Sequence, residues 1–85
     1  MKVKIISKEN EAIQATVSNM KEVKDLISKC KLKLDFNLYD EELDIDNPDY
    51  NKFDVIIPGD WVVVNENNYF IYASEVEFNA TWKKL

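Results

Sequence analysis

The fold of this chain is decided by residues 58–72, which read PGDWVVVNENNYFIY. Proline fixes φ and glycine tolerates positive φ, so Pro58 and Gly59 favour a tight turn. The runs at residues 61–64 and 69–72 are rich in β-branched and aromatic side chains, which favour strands. The asparagines between these runs tolerate the left-handed conformation that hairpins need. The stretch therefore predicts a β-hairpin, with its aromatic side chains divided between two faces.

Weaker alternation extends the predicted sheet towards the N-terminus. Residues 2–6 alternate charged and apolar side chains, and residues 11–17 place apolar side chains on one face, which predicts two strands around a turn at residues 8–10. Residues 31–36 show the same period of two, and residues 53–57 predict a further strand that ends at the proline–glycine turn. These patterns predict a mainly antiparallel sheet.

Two helices are predicted from helical spacing and capping residues. Residues 20–30 carry apolar side chains at helical spacing, with Asn19 as the expected N-cap and Glu22 as its reciprocal acid. Ser74 and Glu77 form a Ser-x-x-Glu capping box, which predicts a short C-terminal helix. The apolar stripe of that second helix is expected to comprise Val76, Phe78, Thr81, Trp82 and Leu85.

Length and composition bound the class of protein. The 85 residues fit one α+β domain over residues 1–85. We expect a twisted, mainly antiparallel sheet of about four to six strands, one packed helix and a short C-terminal helix. Cys30 is the single cysteine, which points to a reducing compartment, and no apolar run is long enough for a bilayer span or a secretory signal. A cytoplasmic location and no association with membranes are therefore expected.

Charge is distributed unevenly along the chain. Residues 1–34 hold eight lysines against four acids, whereas residues 35–82 hold twelve acids against Lys52 alone. The formal net charge is −5, and no arginine is present. Because phosphate binding requires clustered basic side chains, this balance argues against direct binding of nucleic acid.

Catalytic chemistry is largely excluded by residue types. Without histidine, the chain has no Ser-His-Asp or Cys-His pair and lacks the commonest general base. Cys30 lies on the apolar stripe of the predicted helix and is expected to be a buried structural thiol. Asp60 is expected to bond nearby backbone amides after the turn rather than to act in catalysis. The acids of residues 40–46 lack EF-hand spacing, which favours a solvated loop over a metal site. We therefore expect a binding protein, not an enzyme, with no cofactor and no metal.

The densest acidic segment is the most informative candidate site. Residues 37–52 predict an exposed acidic loop, which also allows a short strand at residues 43–46. Eight acids lie within residues 35–54. Such a patch imitates phosphate spacing and steers association with a basic, nucleic-acid-binding protein, whereas the simpler interpretation is solubility. The candidate partner-binding residues, which include two tyrosine anchors, are Tyr39, Asp40, Glu41, Glu42, Asp44, Asp46, Asp49 and Tyr50.

Three stretches of the chain resemble a widespread group of small tailed-phage and prophage proteins. They are residues 11–16 (EAIQAT) with Asn19 and Glu22-Val23 behind them, residues 58–63 (PGDWVV), and Tyr69 followed by Phe78 and Trp82. Their order and spacing agree along most of the chain, although the group usually has glycine at the hairpin tip where this chain has Asn67-Asn68. The resemblance implies a phage accessory protein, and it brings no catalytic residues with it.

Three functions follow as hypotheses. The first is a phage-encoded accessory protein that inhibits a host defence system by stoichiometric binding to a host protein through its acidic surface, as anti-CRISPR inhibitors do, in the cytoplasm of an infected or lysogenic bacterium. The second is a homo-oligomer that sequesters a nucleotide signal between subunits, with the lysines of residues 1–34 holding phosphates and aromatic side chains holding the base. The third is a virion or assembly component.

Overall fold

A computed structural model of the chain describes residues 2–5 and 8–84, with side chains from residue 10 to residue 82. Its strands, in chain order, are β1 (Lys2–Ile5), β2 (Lys8–Gln14), β3 (Asp35–Leu38), β4 (Leu43–Asn47), β5 (Lys52–Ile56), β6 (Trp61–Val64), β7 (Tyr69–Tyr72) and β8 (Lys83–Lys84). The α-helices are α1 (Met20–Ile27) and α2 (Glu75–Thr81), and Pro48–Tyr50 form a 3₁₀ turn. The expected α+β class is confirmed.

The strands form two antiparallel sheets, which corrects the expectation of one sheet. The first sheet has five strands in the order β7-β6-β2-β1-β8, and the second has three in the order β3-β4-β5. After β2 the chain passes through α1 and builds the second sheet before it returns as β6. Strand β2 therefore pairs with β6, with Glu11 opposite Val64, and β3 lies at the edge of the second sheet, where it pairs with β4.

The predicted hairpin is confirmed by the pairing of β6 with β7, in which Val64 lies opposite Tyr69. The side-chain oxygen of Asn65 accepts from the backbone N–H groups of Asn67 and Asn68 at 2.8 and 2.9 Å. These bonds satisfy two donors that the hairpin tip would otherwise leave to water. The asparagine-rich tip is thus fixed by its own side chains.

The turn that precedes the hairpin is also formed as predicted. Gly59 has a φ of 101°, a conformation that glycine adopts without a side-chain penalty. The Asp60 carboxylate accepts from the backbone N–H of Ile57 at 3.1 Å, which confirms its expected structural role. Ala15 bonds the turn on both sides, because its N–H donates to the Asp60 carbonyl and its carbonyl accepts from the Gly59 N–H, each at 2.8 Å.

Strand β6 lies at the centre of the core, with all four of its residues buried. Its side chains alternate between two apolar clusters. Val62 and Val64 pack with α1 and the second sheet, whereas Trp61 and Val63 pack with α2 on the opposite face of the first sheet. Burial of each large apolar side chain stabilises the fold by about 1.5–3 kcal/mol. The first sheet is therefore covered on both faces at β6.

Helix α1 buries Met20, Val23 and Ile27, as its apolar spacing predicts. It ends at Ile27, three residues before the predicted end, and Cys30 is buried in the following turn as expected. Asn19 is the N-cap residue as predicted, and its carbonyl accepts from the Val23 N–H at 3.0 Å, but its side chain does not cap the helix. Its side chain instead accepts from the Thr16 N–H at 2.7 Å and donates to the Gln14 carbonyl at 2.8 Å. Asn19 therefore closes the loop between β2 and α1.

Helix α2 begins at the predicted capping serine. The Ser74 hydroxyl oxygen accepts from the Glu77 N–H at 3.2 Å, and the Glu77 carboxylate accepts from the Ala73 N–H at 3.3 Å rather than from the serine amide. Of the predicted apolar stripe, Phe78 and Trp82 are buried, Val76 and Thr81 are exposed, and Leu85 lies outside the described residues. The helix covers the first sheet through two aromatic side chains.

Other predicted boundaries also differ from the structure. Residues 8–10 belong to β2, where Asn10 lies opposite Val3, and do not form a turn. The strand predicted at residues 31–36 begins at Asp35. Of the acidic loop predicted at residues 37–52, the exposed turns at residues 39–42 and 48–51 are present, and the short strand allowed at residues 43–46 is confirmed as β4 (Leu43–Asn47). Residues 37–38 and 52 belong instead to β3 and β5. In the part of the chain that the structure describes, no helix has the length and apolar character needed to cross a membrane.

Candidate functional site

The acidic residues lie on the second sheet and on its two turns. Strands β3 and β4 are joined at residues 39–42, where the backbone N–H of Tyr39 donates to the Glu42 carbonyl at 2.8 Å. Between β4 and β5, Asn51 adopts a left-handed φ of 49° and donates its N–H to the Pro48 carbonyl at 3.3 Å. Asparagine tolerates this conformation better than most residues, so it suits the reversal into β5.

Strand β4 separates an apolar face from an acidic one. Leu43 and Ile45 are fully buried and belong to the main apolar cluster. Asp44 and Asp46 point the other way, because successive side chains of a strand lie on opposite faces. The second sheet therefore covers the core with its apolar face and carries carboxylates on its outer face.

Two rows of side chains cross this outer surface. In one row, Asp35 of β3 lies opposite Asp46 of β4, which lies opposite Phe53 of β5. The neighbouring row consists of Asn37, Asp44 and Val55. Phe53 and Val55 are 59% and 40% exposed. We call these six outward side chains the acidic face, and it combines carboxylates with exposed apolar groups.

The arrangement of carboxylates on the acidic face is unfavourable for stability. Like charges directly opposite each other destabilise a sheet, and Asp35 and Asp46 are such a pair. Close by, a hydrogen bond with Asp44, followed by burial and by the charge of Asp44, raises the pKa of Glu42 above its ordinary value. The acids of the second sheet are therefore close enough to repel one another.

No lysine within the described side chains neutralises the acidic face. The ion pairs between residues 10 and 82 are Lys31 with Glu66 at 3.0 Å and Lys52 with Asp54 at 3.5 Å. Asp54 points inwards in register with Ile45, so neither ion pair includes an outward acid. The exposed carboxylates of Asp35 and Asp46 are therefore available to another molecule, whereas that of Asp44 is half-buried.

The eight predicted partner-binding residues lie in three places on the second sheet. Those in the β3–β4 turn are Tyr39, Asp40, Glu41 and Glu42; those on the acidic face are Asp44 and Asp46; those in the 3₁₀ turn are Asp49 and Tyr50. A five-residue strand separates the two turns by about 17 Å. The two tyrosines therefore lie at opposite ends of one surface and do not share a small ligand.

Sequence reasoning missed four members of the acidic face: Asp35, Asn37, Phe53 and Val55. The relevant pattern was present, because Asp35 alternates with Leu34 and Phe36. Alternation assigns a residue to the outer face of its own strand, but it does not say which other strands lie beside it. The four residues join the acids of β4 only through pairing across the sheet.

The acids are spread over a surface and do not converge on one point. In the residues that the structure describes, no group of three or more histidine, cysteine, aspartate or glutamate side chains is placed to hold a metal ion. Asp35 and Asp46 occupy facing positions on adjacent strands, about 4.5–5.5 Å apart at Cα. Such spacing suits a broad contact with several cationic groups.

A second feature is a cleft of about 300 Å³ where the second sheet meets the tip of the β6–β7 hairpin. Lys52 and Tyr69 line it from the two sheets, with the lysine nitrogen 5.6 Å from the centre of the tyrosine ring. The Tyr69 hydroxyl donates to an Asp54 carboxylate oxygen at 2.7 Å. Burial, followed by this aspartate, raises the pKa of Tyr69. The cleft therefore has a polar wall that joins the sheets.

Comparisons with known proteins give no family for the chain. No protein-family model matches it, and no curated protein or solved structure is significantly similar to it. Its function must therefore be inferred from the geometry of its own residues.

Proposed function

We propose that this protein binds a basic surface of another protein through its acidic face. The observation that carries the proposal is the row in which Asp35, Asp46 and Phe53 lie side by side and outward. Opposed carboxylates weaken a sheet, and an exposed phenylalanine is a poor choice for solubility. A partner with lysine or arginine side chains relieves the repulsion and covers the ring.

The size of the second sheet defines how far the partner extends. Three strands of about five residues offer a flat area of roughly 200–250 Å². A stable interface takes about 800 Å² from each partner, a seventh of the 5527 Å² that this chain exposes. The partner therefore reaches beyond the acidic face onto the flanking turns, where Tyr39 and Tyr50 are 54% and 71% exposed. Tyrosine is enriched among the residues that contribute most of the binding energy of protein interfaces.

The biological setting of this proposal comes from the resemblance of the sequence to small phage proteins. In that setting the protein is a phage-encoded inhibitor that occupies the nucleic-acid-binding surface of a host defence protein, in the cytoplasm of an infected or lysogenic bacterium. A surface that binds phosphate is basic, and a patterned acidic face competes for it. Inhibition is then stoichiometric and requires no chemistry.

The proposal is tested by a double variant of the acidic face, Asp35→Asn with Asp46→Asn. Its matched control is Glu22→Gln with Asp25→Asn, which removes the same charge from exposed positions of α1. Immobilised wild-type protein, face variant and control are incubated with bacterial lysate, and captured proteins are quantified by mass spectrometry. We expect a protein that the wild type and the control retain and the face variant loses.

Salt dependence provides a second criterion for the captured protein. Binding between charged surfaces weakens as salt screens them, so the affinity should fall steeply between about 0.05 and 0.5 M NaCl. The captured protein should also lose nucleic-acid binding when the wild type, but not the face variant, is added. Equal retention of the partner by the face variant and the control would refute the role of the acidic face.

A further inference from the structure

The cleft between the second sheet and the hairpin tip contains a buried polar group without a partner. Asn47, the last residue of β4, lines the cleft and is only 4% exposed. Its amide oxygen has no hydrogen-bond partner among the atoms that the structure describes. Buried polar atoms in native proteins are nearly always hydrogen-bonded, and an orphan is costly. This oxygen has less than 1 Å² of accessible surface, so a ligand in the cleft satisfies it by donating a hydrogen bond once the Asn47 side chain turns towards the cleft.

The neighbours of Asn47 supply the remaining contacts for such a ligand. Lys52 lies directly opposite it across β4 and β5, and its side chain is 57% exposed although it contacts Asp54 at 3.5 Å. An ammonium group has three donors, so this lysine retains capacity for an anionic oxygen. Leu32 and Tyr50 contribute an apolar side chain and an open aromatic ring to the walls.

We propose that this cleft binds a nucleotide with an amino-bearing base, as in adenosine or cytidine monophosphate. The exocyclic amino group donates to the Asn47 oxygen, because asparagine amides pair with the edges of such bases. The ring stacks on Tyr50 beside Leu32, since aromatic side chains receive nucleobases through their faces. The phosphate contacts Lys52, whose charge-assisted hydrogen bonds are stronger than neutral ones.

This site shares none of the six residues of the acidic face, although Tyr50 of the flanking turn serves in both proposals. The cleft is lined from the inner side of β4, whereas Asp44 and Asp46 point outwards from the same strand. Its cation is Lys52 rather than a lysine of residues 1–34, which the sequence had favoured for phosphate binding. Variants of the acidic face should therefore leave nucleotide binding unchanged, and the two proposals fail separately.

The test is a titration of the 85-residue protein with adenosine monophosphate, in which binding is measured by calorimetry and by changes in amide chemical shifts. The key variant is Asn47→Leu, with Asn79→Leu on the exposed side of α2 as the matched control. We expect saturable binding to the wild type and to the control, and about tenfold or greater loss of affinity in Asn47→Leu. Chemical shift changes should concentrate at residues 47–52 and 67–69.

The melting temperature of Asn47→Leu shows whether weaker binding comes from a lost ligand contact or from a damaged fold. Replacement of an unsatisfied buried polar group by an apolar group of similar size is neutral or stabilising, so the melting temperature of Asn47→Leu should equal or exceed that of the wild type. A lower melting temperature means that the amide is satisfied within the fold and overturns the proposal. Absence of saturable binding at millimolar nucleotide, or unchanged binding in Asn47→Leu, overturns it as well.

Two related ligands and one lysine variant test which part of the nucleotide contacts Asn47 and which contacts Lys52. Purine riboside monophosphate, which lacks the amino group, should bind more weakly than adenosine monophosphate to the wild type and equally weakly to Asn47→Leu. Adenosine should bind more weakly than its monophosphate, and the difference should disappear in Lys52→Met. Equal binding of adenosine and its monophosphate to the wild type contradicts the phosphate contact.

Discussion

Replacement of Tyr69 by phenylalanine removes one hydroxyl group that joins the two sheets. The Tyr69 hydroxyl, on β7 of the first sheet, donates to Asp54 on β5 of the second sheet at 2.7 Å. The tyrosine ring is buried in the main apolar cluster, so phenylalanine keeps the packing and loses only the bond. The variant therefore measures the contribution of this bond to the free energy of unfolding.

The expected loss follows from the environment of the bond. A hydrogen bond to a charged group contributes about 1.5–3 kcal/mol. The Asp54 side chain is 24% exposed and keeps Lys52 at 3.5 Å, so water and the lysine compensate in part. We expect Tyr69→Phe to lower the free energy of unfolding by about 1.5 kcal/mol. For a domain of this length, that corresponds to a fall in melting temperature of roughly 6–12 °C.

The assay is urea denaturation of a double-mutant cycle with Tyr69→Phe, Asp54→Ala and the double variant. A direct bond predicts a coupling energy of about 1 kcal/mol between the two positions. Tyr50→Phe is the matched control for stability, because its hydroxyl lies on an exposed ring and has no described partner. A coupling energy near zero, or an equal effect of both phenylalanine variants, would refute the reasoning.

The same bond has a signature at alkaline pH. Burial first, and Asp54 second, raise the pKa of Tyr69 in the folded chain above its ordinary value of 10.0. Above pH 10.0 the unfolded chain releases the phenolic proton of Tyr69, while the folded chain retains it. This contribution to stability is therefore complete below about pH 10 and is lost as the pH rises towards the raised pKa. Tyr69→Phe should remove this part of the alkaline destabilisation, which denaturation at pH values from about 9 to 11 measures.

Three further variants test the acidic face, the β3–β4 turn and the second helix. At low salt, Asp46→Asn should raise the free energy of unfolding by about 0.2–0.5 kcal/mol because it ends the repulsion by Asp35, and the gain should shrink in about 0.5 M NaCl. Since the pKa of Glu42 is raised in the folded chain, its contribution to stability falls as the pH rises from 4.5 through the raised value. Glu42→Gln should make the free energy of unfolding, measured by urea denaturation, less dependent on pH between about pH 4 and 7. An unchanged pH dependence would contradict the raised pKa of Glu42. Ser74→Ala should cost about 0.5–2 kcal/mol in urea denaturation because it removes the α2 cap that accepts from Glu77, whereas Ser74→Thr should retain most of the stability.

The parts of the fold that the sequence predicts are those fixed by local physics. The turn at Gly59, the carboxylate of Asp60 that holds it, the hairpin and the cap at Ser74 all depend on residues within a few positions of one another. The second sheet depends on contacts between distant segments. Its central strand carries aspartates at two of five positions, so its composition resembles a loop although its period is that of a strand.

The candidate site also combines features that local sequence predicts with features that depend on contacts between distant segments. The acids of β4 are recognisable in the sequence, and their exposure can be predicted because charged side chains rarely point into a core. The facing of Asp35 and Asp46, and the addition of Phe53 to their row, come from pairing across the sheet. Asn47 could not be recognised from the sequence, because nothing in a single asparagine indicates that its side chain is buried without a partner.

The two sheets differ in how their outer faces are covered, and this difference supports a binding role for the second. On the first sheet, the ring of Phe78 from α2 stacks on Trp61 at 4.3 Å, and the Trp82 indole donates to the Tyr72 hydroxyl at 2.8 Å. The second sheet has no comparable cover among the described residues, and its outer face instead carries opposed carboxylates. Domains of this size have only a few kcal/mol of net stability, so even a pair that costs about 0.2–0.5 kcal/mol removes a measurable fraction of it. Such local conflicts between sequence and fold are expected where a surface is selected for contact with another molecule.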